Sequence, residues 1–348
     1  MPDAPFTPKP TVAVEHTHQL WQARFSPCGK QLCAAGYDGL VHRWEVRGPE
    51  LVKLAPLAGH HGWVQGLDFH PQGNVLFTSD SWGQLVAWRY LEESPQPIWN
   101  CPETHAGWIH DLAVSPNGEL LASCGRDGLV RLWTSADGAA RMELVGHQKK
   151  VLSVAFHPDG KSLVSGDLLG VIKQWDLGTG KEVREFNAKT LYQLDKIQEC
   201  GGARRLTFNA SGDTLLCAGM KSPGGGFAVG APSVLVFDWA SAARKQELLV
   251  GGKDDGFAYD ARFHPAGFVM GTSCAMPGKG HLWFWRPGED KPFFVGTAMP
   301  NGRSLSLHPD GRLAMLSTIS QNANGRSLEG GMYKGGHSKI QVFQLGTG

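Results

Sequence analysis

Apolar and polar residues alternate with a period of two in short runs along the chain, VLSVAF at 151–156 and VIKQW at 171–175 among them. That period places every second side chain on one face of a β-strand. Seven turns of one type close seven such runs: SPCG, HPQG, SPNG, HPDG, NASG, HPAG and HPDG follow Phe25, Phe69, Val114, Phe156, Phe208, Phe263 and Leu307. Proline at the second position and glycine at the fourth suit a tight turn. Downstream of each turn an aromatic ends another strand, in the series Trp44, Trp88, Trp133, Trp175, Phe237, Trp285 and Phe343. The two series interleave without a gap, at a period of roughly 40 to 60 residues, which fits a four-stranded unit.

Each unit reads as strand, tight turn, strand, Asp/Gly turn, strand ending in the aromatic, short turn, and a fourth strand such as KEVREF at 181–186. A single four-stranded sheet cannot bury both faces, whereas seven packed radially can, and they leave only short edges. The predicted fold class is all-β: a seven-bladed β-propeller of four-stranded antiparallel blades. One domain over 11–348 follows a loose Pro-rich tail at 1–10. Its blades lie near 16–53, 60–103, 105–145, 147–188, 199–250, 254–296 and 298–344 plus 11–15.

The Gly146-His147 pair, the Asp127-Gly128 turn and the Trp175-Asp176 ending resemble the signature of the WD-repeat (WD40) propellers, and the resemblance covers about residues 11 to 344. It implies a buried hydrogen-bonded tetrad, whose positions in the third unit are held by His105, Ser123, Asp127 and Trp133. It also implies a ring closed by an N-terminal strand, and TVAVE at 11–15 has the alternation to pair beside KIQVFQ at 339–344. The copies are loose. Trp-Asp occurs at 175–176, with Phe237-Asp238 a near copy, while Trp82 and Leu169 stand where the turn aspartate belongs. Blades two and four are therefore expected to depend on packing more than on the tetrad.

Composition agrees with the pattern: Gly 46, Pro 21 and Trp 12 in 348 residues suit many turns between short aromatic-bearing strands. Lys plus Arg number 33 against 32 acids, a net charge of +1, so no global field steers nucleic acid or an anionic membrane. Partners of those two kinds are not expected. Seven cysteines without a C-x-x-C pair suggest neither a disulfide framework nor a zinc site, and point to reduced thiols in the cytoplasm. The start MPDAPFTPKP has no basic and apolar leader, and no uncharged apolar run reaches membrane-spanning length, so a soluble, unexported protein is expected.

Candidate chemistry is sparse. His70, His157, His264 and His308 lie in the proline turns of four different blades and read as turn residues rather than metal ligands. His16, His60, His105 and His147 occupy the tetrad position of the resemblance. Ser123, His105 and Asp127 repeat a hydrolase trio, yet no elbow motif exposes the serine. The glycine runs GMKSPGGGFAVG (219–230) and LEGGMYKGGHSK (328–339) lack the phosphate-loop signature. Cys124 and Cys274 read as buried thiols. No catalytic residue, metal or cofactor is expected.

Aligning the units on their turns yields one residue per blade at the start of the innermost strand: Trp21, Gln65, His110, Leu152, Arg204, Tyr259 and Arg303. In this architecture that row faces the mouth of the ring. In the loops two places earlier stand Gln19, Trp63, Trp108, Lys150, Gly202, Phe257 and Asn301. Arg204, Tyr259, Arg303 and Trp21 come from consecutive blades five, six, seven and one, forming an arc of hot-spot residue types with Trp63 and Trp108 opposite. Enlarged connections at 219–233, 274–280, 319–338 and 188–202 gather over the same sector. The expected function is a non-enzymatic scaffold, monomeric or one subunit of a larger complex, holding a protein or peptide on its top face through Trp21, Trp63, Trp108, His110, Arg204, Tyr259 and Arg303. Two guanidiniums favour an acidic, C-terminal or phosphorylated segment. The alternatives are a hydrolase or lyase using His110 with Asp111, Asp254 or Asp260, and a small-molecule or nucleotide binder under the glycine runs.

Overall fold

Each alternating run becomes one strand of a four-stranded antiparallel sheet, and seven such sheets follow one another along the chain. The computed structural model describes residues 6–346, apart from 74, 196, 223–228, 275–279, 298–300, 321–327, 330–331 and 334–335. The innermost strands are Leu20–Phe25, Val64–Phe69, Ile109–Val114, Val151–Phe156, Arg205–Phe208, Phe257–Phe263 and Gly302–Leu307. Each contacts the next and the last contacts the first, so the seven enclose a central channel. Lys189–Leu191, a single 3-10 turn, is the one helical element among the described residues.

The aromatic series wedges between blades by a constant register. Trp44 pairs with Leu32, Trp88 with Leu76, Trp133 with Leu121, Trp175 with Leu163, Phe237 with Leu215, Trp285 with Val269 and Phe343 with Leu313. All seven aromatics are buried. An aromatic side chain burying about 150–250 Å² at about 25 cal/mol/Å² contributes ~4–6 kcal/mol as an upper bound.

In three blades the buried indole N–H starts a hydrogen-bond relay. Trp133 Nε1 donates to Ser123 Oγ (2.9 Å), which lies 2.8 Å from His105 Nε2, and His105 Nδ1 donates to Asp127 (3.0 Å). Blades two and four hold the same relay, contrary to the expectation that packing replaces it there. Trp88, Thr78, His60 and Asp80 form one copy, and Trp175, Ser165, His147 and Asp167 the other. Both aspartates sit at the strand end, two residues before the usual turn position, and from there still reach the histidine. In blade one Ala34 takes the serine place, and Asp38 instead bonds His42 Nε2 at 2.9 Å.

The turn histidines stitch neighbouring blades on the opposite rim. His157 Nε2 donates to Gly212 O (2.9 Å) and His308 Nε2 to Gly29 O (2.8 Å). A Cβ on Gly118 would stand 2.2 Å from His70 Nε2, so that glycine is required by the neighbouring blade as well as by its φ of +80°.

The first strand, Thr7–His16, pairs antiparallel with Gly336–Gly346 as the outer strand of the seventh sheet, with Ala13 opposite Gln341 and Val14 opposite Ile340. Strand therefore begins at Thr7, inside the stretch read as a loose tail. An outer strand bonded on one side tolerates Pro8 and Pro10, which lack an N–H. The insertion before blade five is likewise not structureless: Tyr192–Asp195 and Gln198–Gly201 form a hairpin. In blade five, 219–221 and 231–233 extend the paired strands, and in blade seven so do 319–320 and 336–338. Leu328–Glu329 pairs with Met332–Tyr333, while 223–228, 275–279, 321–327, 330–331 and 334–335 of the proposed long loops and glycine runs lie outside the described residues.

Asp167 also accepts the Val171 N–H (2.9 Å) in a buried setting. Asp167→Ala is expected to cost roughly 2–4 kcal/mol in denaturant unfolding, since two buried donors lose their acceptor. Adding Leu169→Asp, which restores a carboxylate at the position from which Asp127 reaches His105, is expected to recover part of that loss.

Candidate functional site: the channel mouth

The innermost strands share a one-residue irregularity near their start. Pairing jumps from Leu20 to Gln22, Val64 to Gly66, Ile109 to Asp111, Val151 to Ser153, Ala258 to Asp260 and Gly302 to Ser304. The residues skipped are Trp21, Gln65, His110, Leu152, Tyr259 and Arg303. A bulge re-aims the side chain of its extra residue, and this is why one residue per blade turns into the mouth. Arg204 directly precedes its strand, held by its N–H on Ala218 O (3.0 Å). Trp21, His110, Leu152, Arg204, Tyr259 and Arg303 line one cavity of about 90 Å³, while Gln65 is buried beside it.

Below this tier the next inward residue of one blade ties down the backbone of its neighbour. The N–H groups of Leu67, Val154, Leu305 and Ala23 donate to Gln22, Asp111, Asp260 and Ser304 of the preceding blades. Arg205 bridges Asp111 (3.0 Å) and Asp260 (3.3 Å), Arg262 pairs with Asp260 (3.1 Å), and Arg24 pairs with Asp68 (2.7 Å). Three guanidiniums and three carboxylates thus form a balanced belt across the channel. Burial pushes the Asp111 carboxyl up, whereas Arg262 and Arg205 overcome burial at Asp260 and hold it low. Asp254, grouped with these two at the sequence level, is instead an exposed loop residue that does not line the mouth cavity.

The mouth itself is unbalanced. Arg303 lies over the rings of Tyr259 (4.4 Å) and Trp21 (4.9 Å), and Arg204 over Phe257 (4.3 Å) and Tyr259 (5.4 Å). Both buried Nε atoms lack a hydrogen-bond partner, as does His110 Nε2. Among the described residues no carboxylate lies within 4.0 Å of either guanidinium, whereas every arginine of the belt is paired. Burial lowers the Lys150 ammonium, and Arg204 and Arg126 lower it further. His110 is pushed down to about 4 by burial first, then by Lys150, Arg204 and Arg126. Cations that disfavour one another's charge create a local demand for an anion.

Trp63 and Trp108 do not stand apart across the ring from Trp21. Tyr37 stacks on Trp21 (5.8 Å) and on Trp63 (4.9 Å), and Trp63 meets Trp108 edge-on (5.6 Å). The arc is therefore one continuous girdle from Arg204 through Tyr259, Arg303, Trp21, Tyr37 and Trp63 to Trp108. Sequence reasoning missed Tyr37 and Arg126. Both precede the turn aspartate, in Gly36-Tyr37-Asp38-Gly39 and Gly125-Arg126-Asp127-Gly128, so overlaying the Asp-Gly turns as well as the proline turns would have exposed them. The hairpin before blade five is bonded to the loop entering blade four through Lys149 and Glu199 (2.9 Å), and it presents Leu194 and Ile197, 58% and 93% exposed.

Known proteins share this pattern. The family described as WD domain, G-beta repeat, matches residues 9–45, 51–89, 96–134 and 138–176. The chain is 30% identical over 195 residues to Periodic tryptophan protein 2 of Arabidopsis thaliana, which covers 56% of this chain and 20% of that protein. It is 27% identical over 199 residues to the Arabidopsis thaliana transcriptional corepressor LEUNIG_HOMOLOG, covering 47% of this chain and 25% of that protein. It is 29% identical over 298 residues to a guanine nucleotide-binding protein subunit beta of Oryza sativa subsp. japonica, covering 82% and 70%. The chain thus spans a quarter or less of the first two of these proteins.

Because the folded His110 titrates near 4 and an unfolded histidine near 6.5, the unfolded chain binds the proton first as pH falls. Stability contributed by the neutral imidazole is complete above ~6.5 and declines towards 4. Thermal melts at pH 7 and pH 4.5 are expected to show a larger loss for the wild type than for His110→Gln.

Proposed function

Because the chain belongs to the WD-repeat family of seven-bladed β-propellers, we propose that it is a non-enzymatic interaction scaffold whose channel mouth takes an anionic segment of a partner protein. The observation that carries this reading is the pair of guanidiniums, Arg204 and Arg303, fixed on aromatic faces without a carboxylate partner. Arginine held rigid on rings loses little freedom on binding and offers a fork to a carboxylate or phosphate. The girdle adds broad aromatic surface for the flanking residues, in the composition that concentrates binding energy. A relative named as a corepressor and another named as a G-protein subunit support a role in assemblies.

Against a hydrolytic centre stands the engagement of Asp111 and Asp260 by Arg205 and by backbone N–H groups, which leaves them poorly disposed to activate water. The seven thiols are unpaired and five of them are buried, which supports placing the chain in a reducing compartment such as the cytoplasm.

The test is a peptide array with acidic, phosphorylated, neutral and basic members, probed with wild type and with Arg204→Glu/Arg303→Glu after both pass a thermal melt. Anionic peptides are expected to be preferred, and to lose at least about tenfold in affinity in the double variant and in raised salt. Equal retention of all classes by both proteins refutes the reading.

A further inference from the structure

A second cavity, of about 500 Å³, opens on the same face between blades one and two, lined by Tyr37, Asp38, Gly39, His60, His61, Gly62, Trp63, Ser81, Trp82 and Trp108. Four of these residues are large aromatics, one is an ionised acid, and none is lysine or arginine. It shares Tyr37, Trp63 and Trp108 with the girdle, Tyr37 being already stacked on Trp21 and Trp63, but has the opposite charge preference.

The cavity exists because the relay aspartate of blade two has moved. In blade three the turn position is taken by Asp127; in blade two Asp80 does that work from two residues upstream, leaving the turn position to Trp82, which is 66% exposed. Asp80 also anchors both loops that carry the walls. It accepts the N–H groups of His61 (3.2 Å), Gly62 (3.2 Å), Trp82 (2.9 Å) and Gln84 (3.1 Å). Ser81 Oγ accepts the Trp63 N–H at 3.0 Å. Trp82 leans on Gly62, where a Cβ would come within 2.8 Å of its ring, so a glycine is needed for the indole to lie as it does. The walls are preorganised by groups that stabilise the fold anyway.

We propose that this cavity binds a methylated ammonium, the side-chain head of an N-methylated lysine on a partner peptide. Aromatic faces attract a cation through their quadrupole, and Trp is the strongest of them. Asp38 stands in the wall with its carboxyl held low: burial would raise it, but the bond to His42 and the Leu40 N–H lower it. Asp80 lies beneath, held low by His60 and by the Gln84 and Trp82 N–H groups despite its burial. One carboxylate in the wall and a second, already bonded, beneath it, with no lysine or arginine in the wall, favour a cation. The same hydrogen bonds occupy much of the acceptor capacity of Asp38, Asp80 and Ser81. A bare ammonium, which needs acceptors to replace its water, is poorly served, whereas a methylated one needs none. The cavity is open to solvent beside the channel mouth, which lets a side chain enter while its peptide lies across the face. This inference does not depend on the anionic reading of the mouth.

The experiment is calorimetric titration of the whole chain with acetyl-Gly-Lys-Gly-amide carrying a trimethylated lysine. The unmodified tripeptide, an Arg tripeptide, a neutral analogue with carbon in place of the quaternary nitrogen, and choline serve as controls. The trimethylated peptide is expected to bind at least about tenfold tighter than each control, and to lose about tenfold in Trp82→Ala and less in Trp82→Phe. Absent binding, equal binding of the neutral analogue, equal or tighter binding of the Lys or Arg tripeptide, or indifference to Trp82→Ala overturns the proposal. Choline binding tighter than the peptide overturns its assignment to a peptide.

Discussion

An indole buried between two sheets must place its N–H on an acceptor or lose the free energy of a hydrogen bond. Much of this molecule follows from meeting that requirement in Trp88, Trp133 and Trp175. The serine or threonine that accepts from each is itself oriented by a histidine, and the histidine by an aspartate that also binds the following turn. One chain of bonds thus runs from the blade interior to the loops of the top face. Stabilising the wedge and shaping the binding surface are the same act.

How well the sequence spoke depended on how strongly each position was constrained. Phe25, Trp44 and their equivalents must be apolar and large, and they recur at fixed register, so strand order and blade number were legible. The row that enters the mouth could also be found, since a bulge in an inner strand keeps its place relative to the following turn; only Arg204 lies before its strand instead of within a bulge. What stayed hidden were exchanges that leave composition unchanged. Asp80 and Asp167 perform the turn aspartate's work from two residues upstream, which is visible only when side-chain reach is known. Tyr37 joins Trp21 to Trp63 through stacking, a contact between blades that no spacing in one dimension encodes. The hairpin at 192–201 read as loop because its strands are four residues each, too short for alternation to register.

Charge is distributed over the top face with little regard to the net value of the chain. The mouth carries cations whose nearest neighbours are aromatic, and farther along the girdle, beyond Trp21 and Tyr37, the wall carries Asp38. A ligand reading both would need opposite charges at a set separation along one chain, a more selective requirement than either site imposes alone.

The belt of Arg24, Arg205 and Arg262 with Asp68, Asp111 and Asp260 has a consequence for permeability. A channel through the axis of a ring invites the picture of a conduit. Here Arg205 and Arg262 are bonded to Asp111 and Asp260, and Arg24 to Asp68, below the aromatic tier, and to part them is to strand ions in a low-dielectric interior. The belt sets the cavity of the mouth apart from the one that Arg24, Asp68 and Arg262 line, so that a segment passing from one to the other has to break ion pairs on its way.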